Sequence, residues 1–248
     1  MFQERRPASQ VTDWNQYYRN VPATATVTRK YTTAVLVSMI RRYGVPLETS
    51  GLSIVEIGGA NSCFVDPIRA KIGTRLYDVI DTNEFGLSLL ARRYGDTRPV
   101  GLFRQSVLEL SYDRQADLVF SVGLVEHFTP AETRTAVLAH FDVLRPGGTL
   151  IITFPTPTLL YRVTRRLIEM CGMWKFPDER PLLPGEVLAS IGERGEILCR
   201  KTLWPQILTQ HLVVARKFGD GETAPDPEGT PVAAPIRAAT VRERSSSS

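Results

Sequence analysis

Four groups of polar residues follow short apolar segments of the sequence, and their side chains could bind a ligand and move a proton. Glu56 closes the first segment, Asp81 and Ser106 follow the next two, and the pair Glu126 and His127 follows the fourth. An ionised carboxylate accepts hydrogen bonds without donating any, which suits a hydroxyl or an amine. An imidazole titrates near neutral pH and can accept the proton of a hydroxyl group. These residue types suit a site that binds a polar cofactor and carries out acid–base chemistry.

A turn of small residues follows Glu56 at once. Its members are Gly58, Gly59, Ala60 and Asn61. At the carboxyl end of a strand, such a turn lets backbone and ligand approach closely and could cradle the carboxylate and ribose of a nucleoside-like cofactor. It is not a dinucleotide fingerprint, because Ala60 and Cys63 replace the second and third glycines of that pattern. The alternative is an ordinary tight turn between a strand and a helix.

Further cofactor-binding candidates lie at the ends of the later segments. Asp81, with Asn83 close by, is placed to accept two ribose hydroxyl groups. Ser106 and Val107 offer a polar side chain and a backbone N–H to the edge of an adenine ring. Ser121 ends the fourth segment and completes the predicted cofactor site.

His127 is the predicted catalytic base, with Glu126 beside it. Two alternatives remain open: the pair orders a loop, or His127 stacks on the cofactor without transferring a proton. A divalent ion held by these two residues is disfavoured because no third ligand is visible, so no metal is predicted. His140 and His211 fall in a predicted helix and a predicted strand, where packing or surface roles are expected.

Apolar segments alternate with segments of helical spacing between residues 50 and 155. Predicted strands cover residues 53–56, 75–80, 100–103, 117–121 and 149–154, and predicted helices cover residues 29–43, 64–71, 84–93 and 131–144. Strands that alternate with helices of this length indicate a parallel sheet with helices on both faces. The sequence therefore predicts an α/β fold with a doubly wound sheet.

The segments outside this core are predicted to surround the substrate. Tyr17 lies in an aromatic amino-terminal arm, and a predicted helix over residues 158–173 carries Arg162 and Arg166 on one face with Arg165. These arginines could hold a phosphate or could simply be solvated. The opposite face is predicted to pack in the core, with a membrane surface as the alternative. Its members are Leu159, Leu160, Val163, Leu167 and Ile168.

Composition narrows the class of protein. Hydrophobic residues make up 43% and charged residues 23% of 248, as in soluble globular proteins. No apolar run could span a bilayer, the amino terminus lacks the apolar core of a signal peptide, and three scattered cysteines favour a reducing cytosol. A net charge of +4 without a basic stripe argues against nucleic acid as a partner. We therefore predict a cytoplasmic protein.

Taken together, the motifs resemble those of class I S-adenosylmethionine-dependent methyltransferases over residues 50 to 155. The matching pieces are Val55-Glu56-Ile57-Gly58-Gly59, Asp81, Gln105-Ser106-Val107-Leu108-Glu109-Leu110, Leu124-Val125-Glu126-His127-Phe128 and Leu144-Arg145-Pro146-Gly147-Gly148. The resemblance implies a Rossmann-like sheet that ends in a reversed hairpin, which predicted strands at 196–203 and 208–217 would supply. It also implies S-adenosylmethionine as the cofactor. The chain departs from the family pattern at Ala60 and Ser62, where glycines are usual, and at Ser106, where Asp is usual.

The predicted activity is methyl transfer, to the oxygen of a small molecule or of a sugar in a glycoconjugate. One alternative is an aromatic or prenylated hydroxyl acceptor, and another is a catalytically inactive binding or regulatory protein. Residues 1–50 are predicted as an arm and lid, 51–218 as the methyltransferase domain with an insertion at 156–192, and 219–248 as a disordered tail. Peripheral membrane contact is compatible with this organisation, and the sequence does not specify an oligomeric state.

Overall fold

A computed structural model describes residues 11–44, 51–95, 100–203, 209–219 and 221 of the chain. Within these residues, seven strands form one sheet in the order β3-β2-β1-β4-β5-β7-β6. The strands are β1 (Leu52–Ile57), β2 (Thr74–Asp81), β3 (Val100–Arg104), β4 (Ala116–Val122), β5 (Leu144–Pro155), β6 (Gly195–Leu203) and β7 (Gln210–Lys217). The helices are α1 (Trp14–Arg19), α2 (Ala23–Tyr43), α3 (Val65–Lys71), α4 (Glu84–Tyr94), α5 (Pro130–Val143), α6 (Leu159–Met170) and α7 (Pro184–Gly192).

The first five strands are parallel, and the two central ones are β1 and β4. All six residues of β1 are buried, as expected of a β-branched strand covered by helices on both faces. Glu56 lies beside Val79 on β2 and Phe120 on β4, so the carboxyl ends of these strands meet at one edge. That edge is where open α/β sheets bind their ligands.

Two apolar clusters, one on each face of the sheet, form the core. Residues of α2, α3 and α4 contribute to the first cluster, and residues of α5 and α7 contribute to the second. Local signals fix where the helices begin. The side chain of Asn83 accepts a hydrogen bond from the Gly86 N–H at the start of α4, and Thr129 and Glu132 form a capping box at the start of α5.

The last two strands reverse the direction of the sheet. Strand β7 lies between β5 and β6 and is antiparallel to both. The prediction of a Rossmann-like, mostly parallel sheet with a reversed carboxy-terminal hairpin is therefore confirmed. Among the described helices, none is long and apolar enough to cross a membrane. Most of the predicted tail, residues 222–248, lies outside the described residues.

Two predictions of local structure were wrong. The arm contains the short helix α1, and α2 begins at residue 23 instead of 29. The apolar face of α6 does not pack in the core: Tyr161 and Thr164 are buried instead, and Leu159, Val163 and Leu167 are exposed.

Candidate active site

A cavity of about 1700 Å³ opens at the carboxyl ends of β1, β2 and β4. Its floor is the turn after β1, and its walls come from α1, α2, the segment after β4 and the residues between 155 and 179. Ligand pockets usually measure roughly 300–1,000 Å³, so this cavity can hold two molecules together. Nine of the fifteen site residues that the sequence predicted line it. They are Tyr17, Glu56, Gly58, Gly59, Ala60, Asn61, Asp81, Glu126 and His127.

The turn after β1 has a backbone geometry that depends on its sequence. Gly58 has a φ of +75°, and its N–H donates to the Ile80 carbonyl at 2.8 Å. A Cβ at this position would lie 2.9 Å from the side chain of Leu124. Asn61 also has a positive φ, of 52°, a conformation that asparagine tolerates better than most residues. The chain therefore makes its tight turn with both Gly58 and Asn61 in the left-handed region.

Ser62 stabilises this turn through its side chain. Its hydroxyl donates to Glu56 Oε2 at 2.8 Å and accepts the Phe64 N–H at 3.0 Å. The same carboxylate oxygen accepts the hydroxyl of Tyr77 at 2.6 Å. Burial raises the pKa of Glu56 to about 7, although these two hydrogen bonds lower it in part. Glu56 thus holds the turn together as well as lining the cavity.

Asp81 faces the turn from the end of β2. Its Oδ2 accepts the Ala60 N–H at 2.9 Å, and its Oδ1 accepts the Asn83 N–H at 2.8 Å. Burial raises the pKa of Asp81, and the backbone hydrogen bonds oppose that shift. Each carboxylate oxygen can accept a second hydrogen bond, so Asp81 keeps acceptor capacity for a diol while it braces the turn.

Several predicted cofactor ligands are not brought to the cavity. Asn83 caps α4, and its amide also donates to Asn15. Ser106 accepts the Leu108 N–H and so caps a short 3-10 helix over Val107–Glu109. The side chain of Leu108, which follows the two predicted residues, lines the cavity. Ser121 is fully buried within the sheet.

His127 pairs with a residue that the sequence analysis missed. Its Nδ1 lies 3.1 Å from Asp178 Oδ1, and Asp178 also accepts a hydrogen bond from the hydroxyl of Thr12 in the arm. Burial lowers the pKa of His127, but Asp178 and the charges of Glu126 and Glu179 outweigh it and raise the pKa above its ordinary value. Burial tends to raise the pKa of Asp178, yet hydrogen bonds from His127 and Thr12 hold it at about 2. The contact with Asp178 holds the imidazole of His127 in one orientation.

Glu126 is a buried carboxyl group with an unsatisfied atom. It is 3% exposed, lines the cavity, and its Oε2 has no hydrogen-bond partner among the described residues. Burial raises its pKa to about 8, which the charge of His127 partly offsets. An unpaired buried polar atom costs free energy, about 1–3 kcal/mol in proteins, and a bound ligand with a matching polar group would remove that cost.

The loop that carries Asp178 is fixed to the core by Arg180. Its backbone N–H donates to the Glu126 carbonyl at 2.9 Å, and its guanidinium binds both carboxylate oxygens of Glu186 at 2.7 and 2.9 Å. Arg180 also donates to the hydroxyl of Thr133 on α5. These contacts place Asp178 beside His127. Nothing in the spacing of the sequence predicts these contacts.

Aromatic rings form the wall next to His127. Trp14 lies 5.2 Å from the ring of His127 and 5.8 Å from Phe176, and Tyr17 lies 5.3 Å from Phe176, all between centroids. Flat aromatic faces of this kind suit a sugar ring or another ring system. Arg162 and Arg166, the other predicted substrate ligands, are exposed on α6 and do not line the cavity. Among the described residues, no group of three His, Cys, Asp or Glu side chains could hold a metal ion.

Comparisons with known proteins identify the fold. No protein-family profile and no curated protein sequence matches the chain. Solved structures do match. Magnesium protoporphyrin IX methyltransferase from Synechocystis, with bound S-adenosylhomocysteine, has 13% identity and a TM-score of 0.64 over 82% of this chain and 92% of its own. The 1,6-didemethyltoxoflavin-N1-methyltransferase of Burkholderia thailandensis, with bound 1,6-didemethyltoxoflavin and S-adenosylhomocysteine, has 16% identity and a TM-score of 0.61 over 83% of this chain and 86% of its own.

The same fold also serves another reaction. The [4+2]-cyclase SpnF matches with 14% identity and a TM-score of 0.54, over 74% of this chain and 80% of its own. The chain therefore has the class I methyltransferase fold, as the resemblance of its motifs predicted. At these identities the activity has to be argued from the residues of the site.

Proposed function

We propose that the protein is an S-adenosylmethionine-dependent methyltransferase. The observation that carries the proposal is the pairing of Asp81 with the turn after β1, at the edge of the sheet where this fold binds ligands. The residues fit the cofactor: Asp81 retains acceptor capacity for the ribose hydroxyls, and the turn from Gly58 to Asn61 borders the cavity. Leu108 offers an apolar contact to the adenine ring.

When bound, the cofactor supplies an activated methyl group for transfer to a nucleophile. The chain's own contribution is to position the acceptor and to take its proton. Because Asp178 holds Nδ1 of His127, the other ring nitrogen is left to accept that proton, and Asp178 stabilises the imidazolium that results. The unpaired Oε2 of Glu126 is suited to hydrogen-bond a polar group of the acceptor.

The proposed acceptor is a hydroxyl group on a small molecule or a sugar. The aromatic wall formed by Trp14, Tyr17 and Phe176 would stack on the ring, and His127 beside it would remove the proton. An aromatic or prenylated hydroxyl fits the same wall and is the alternative acceptor. In this proposal the arm and the 156–192 insertion form the acceptor side of the site, whereas the sheet binds the cofactor.

A catalytically inactive binding protein is the second candidate function. The observation that favours it is the departure of the turn at Ala60 and Ser62 from the usual glycines. Under this alternative the protein binds S-adenosylmethionine but no acceptor is methylated. The ordered pair of His127 and Asp178 argues for the enzyme, because a binding protein has no need of a positioned base.

Calorimetric titration with S-adenosylmethionine and S-adenosylhomocysteine tests the proposal. We expect binding of both, and we expect Asp81→Asn to weaken it about tenfold or more, since a charged hydrogen-bond acceptor is lost. Asp113→Asn is the matched control, because Asp113 is an exposed aspartate that does not line the cavity. No binding by the folded wild-type protein, or equal affinities for all three proteins, would refute the proposed cofactor site. Binding without turnover in an acceptor screen would favour the inactive candidate.

A further inference from the structure

Helix α6 has two contrasting faces. Its inner face carries Tyr161 and Thr164, which are buried and line the cavity with Ile168. Its outer face carries large apolar side chains that no other described part of the chain covers. The exposed fractions are 79% for Leu159, 43% for Leu160, 50% for Val163, 58% for Leu167 and 77% for Met170.

The exposed residues form one stripe along the helix. Positions 159, 163, 167 and 170 follow the helical spacing of three or four residues, and position 160 extends the stripe at its start. Met173, just beyond the helix, is 60% exposed and adds to it. Single exposed apolar residues are common, but a contiguous apolar patch of this kind marks a surface that binds something.

Positive charge lies along one edge of the stripe. Arg162 and Arg166 are exposed, one turn apart, and have no ion pair with any described residue. Arg165 differs: it is bound to Glu169, donates to the Glu179 carbonyl and stacks on Trp174. Glu169, the acidic residue of this helix, is therefore already paired. The outer face presents hydrocarbon together with two guanidinium groups that no described residue pairs.

We propose that the outer face of α6 binds the surface of an anionic phospholipid bilayer. The aliphatic and methionine side chains would enter the boundary between headgroups and acyl chains, and Arg162 and Arg166 would contact phosphate groups. A second copy of the chain is a poorer occupant, because the same helix of that copy would offer Arg162 and Arg166 no unpaired carboxylate: its Glu169 is bound to Arg165. With twelve residues the helix is too short to span a bilayer and lies along its surface.

The apolar part of the proposal is tested by vesicle co-sedimentation of the full chain. The vesicles contain either phosphatidylcholine alone or phosphatidylcholine mixed with phosphatidylglycerol. We expect binding to the mixed vesicles, and we expect Leu167→Gln with Met170→Gln to reduce the partition coefficient about tenfold or more. Val27→Gln with Leu183→Gln is the matched control, because it removes two exposed apolar residues outside α6, one in α2 and one directly before α7. Circular dichroism checks that each variant is folded.

The charged part is tested in the same assay. Arg162→Glu with Arg166→Glu should reduce binding to the mixed vesicles roughly tenfold or more, and added salt should reduce wild-type binding as well. Arg92→Glu with Arg200→Glu changes the net charge equally at exposed positions of α4 and β6 and should have a much smaller effect.

Three results would overturn the proposal. The first is that the wild-type protein does not bind the mixed vesicles. The second is that the α6 variants and their controls lose vesicle binding to the same extent. The third is a dimer in solution that Leu167→Gln with Met170→Gln converts to monomers, which would assign the face to a second copy. The assay involves neither cofactor nor turnover, so the inference stands or falls independently of the proposed activity.

Discussion

The contact between His127 and Asp178 joins residues 51 positions apart in the chain. A base must be neutral to accept a proton, and the pKa of His127 is raised above its ordinary value. Activity should therefore rise with pH through the raised pKa. Asp178→Asn removes a carboxylate that holds this pKa up, so the rise should move to lower pH while kcat falls roughly tenfold or more. The check is kcat/KM against pH. His127→Gln should abolish the rise, and an unchanged profile in Asp178→Asn would remove Asp178 from the mechanism.

The raised pKa of Glu126 predicts that the free energy of unfolding depends on pH. Its pKa is about 8 in the folded protein and near the ordinary 4.5 when unfolded, so the unfolded state binds fewer protons between these values. The free energy of unfolding should consequently fall as pH rises through that window. Glu126→Gln removes the effect and should stabilise the protein by on the order of 1–3 kcal/mol at pH 8 and little at pH 4.

Urea denaturation at several pH values measures this difference. Glu109→Gln is the control, because Glu109 is an exposed glutamate. A gain that does not depend on pH would mean that Glu126 is not held as a buried acid.

At the residue scale, the sequence located residues on the floor of the cavity better than residues of the wall around His127. Glu56 and Asp81 could be found because parallel strands end at a common edge, whatever the tertiary detail. Thr12 and Asp178 could not, because both lie in segments without regular spacing. Asp178 contacts Thr12 and His127 only in the folded chain, where Arg180 fixes its loop to the core.

Helix α4 packs against the arm and the turn through a glycine. A Cβ at Gly86 would lie 2.6 Å from the Cβ of Ala60 and 2.8 Å from the ring of Tyr18. Gly86→Ala should therefore displace α1 or the turn and cost about 1–3 kcal/mol of unfolding free energy, despite the better helix propensity of alanine. Chemical denaturation measures the cost. Gly185→Ala in α7 is the matched control, since nothing lies near its added Cβ; equal effects would mean that the contact is not tight.

At the element scale, the sequence predicted the type and order of the core strands and helices because each has a clear apolar period. The error at α6 was of a different kind. The helix was predicted, but the assumption that its apolar side faces the core placed Leu159, Val163 and Leu167 inside. Tyr161 is buried in their place, with a hydroxyl that donates to Glu179. The spacing of apolar residues in a sequence predicts a helix. Which face of that helix is buried depends on the residues that neighbouring segments place against it.

The arm contributes little to the core of the molecule. Helix α1 has no buried residue, yet Thr12 binds Asp178 and Trp14 contacts His127. A chain lacking residues 1–22 should still unfold cooperatively, whereas turnover should fall roughly a hundredfold because the base and the acceptor wall are no longer positioned. Circular dichroism and a turnover assay measure both. A chain lacking residues 222–248 is the control and should remain active; loss of cooperative unfolding without the arm would contradict the prediction.

At the scale of the whole molecule, the sequence predicted the sheet with its reversed hairpin, because its motifs resemble those of class I methyltransferases. The sequence did not predict the position of α7 against the sheet. Its residues Val187 and Ile191 complete the core beside α5, although sequence position assigned them to an insertion. Chain order alone does not say which appended segment covers a face of the sheet.

The turn after β1 and the acceptor wall come from separate stretches of the chain, and this separation bears on how such a protein can change over evolution. Substitution in the arm, or replacement of residues between 156 and 179, alters the ring surfaces around His127 without touching Asp81 or the strands that position it. Under the proposed function, a descendant could thus acquire a new acceptor by exchanging surface segments while it inherits an unaltered cofactor site. Laboratory recombination has the same opportunity, with crossover points at the ends of α2 and β5.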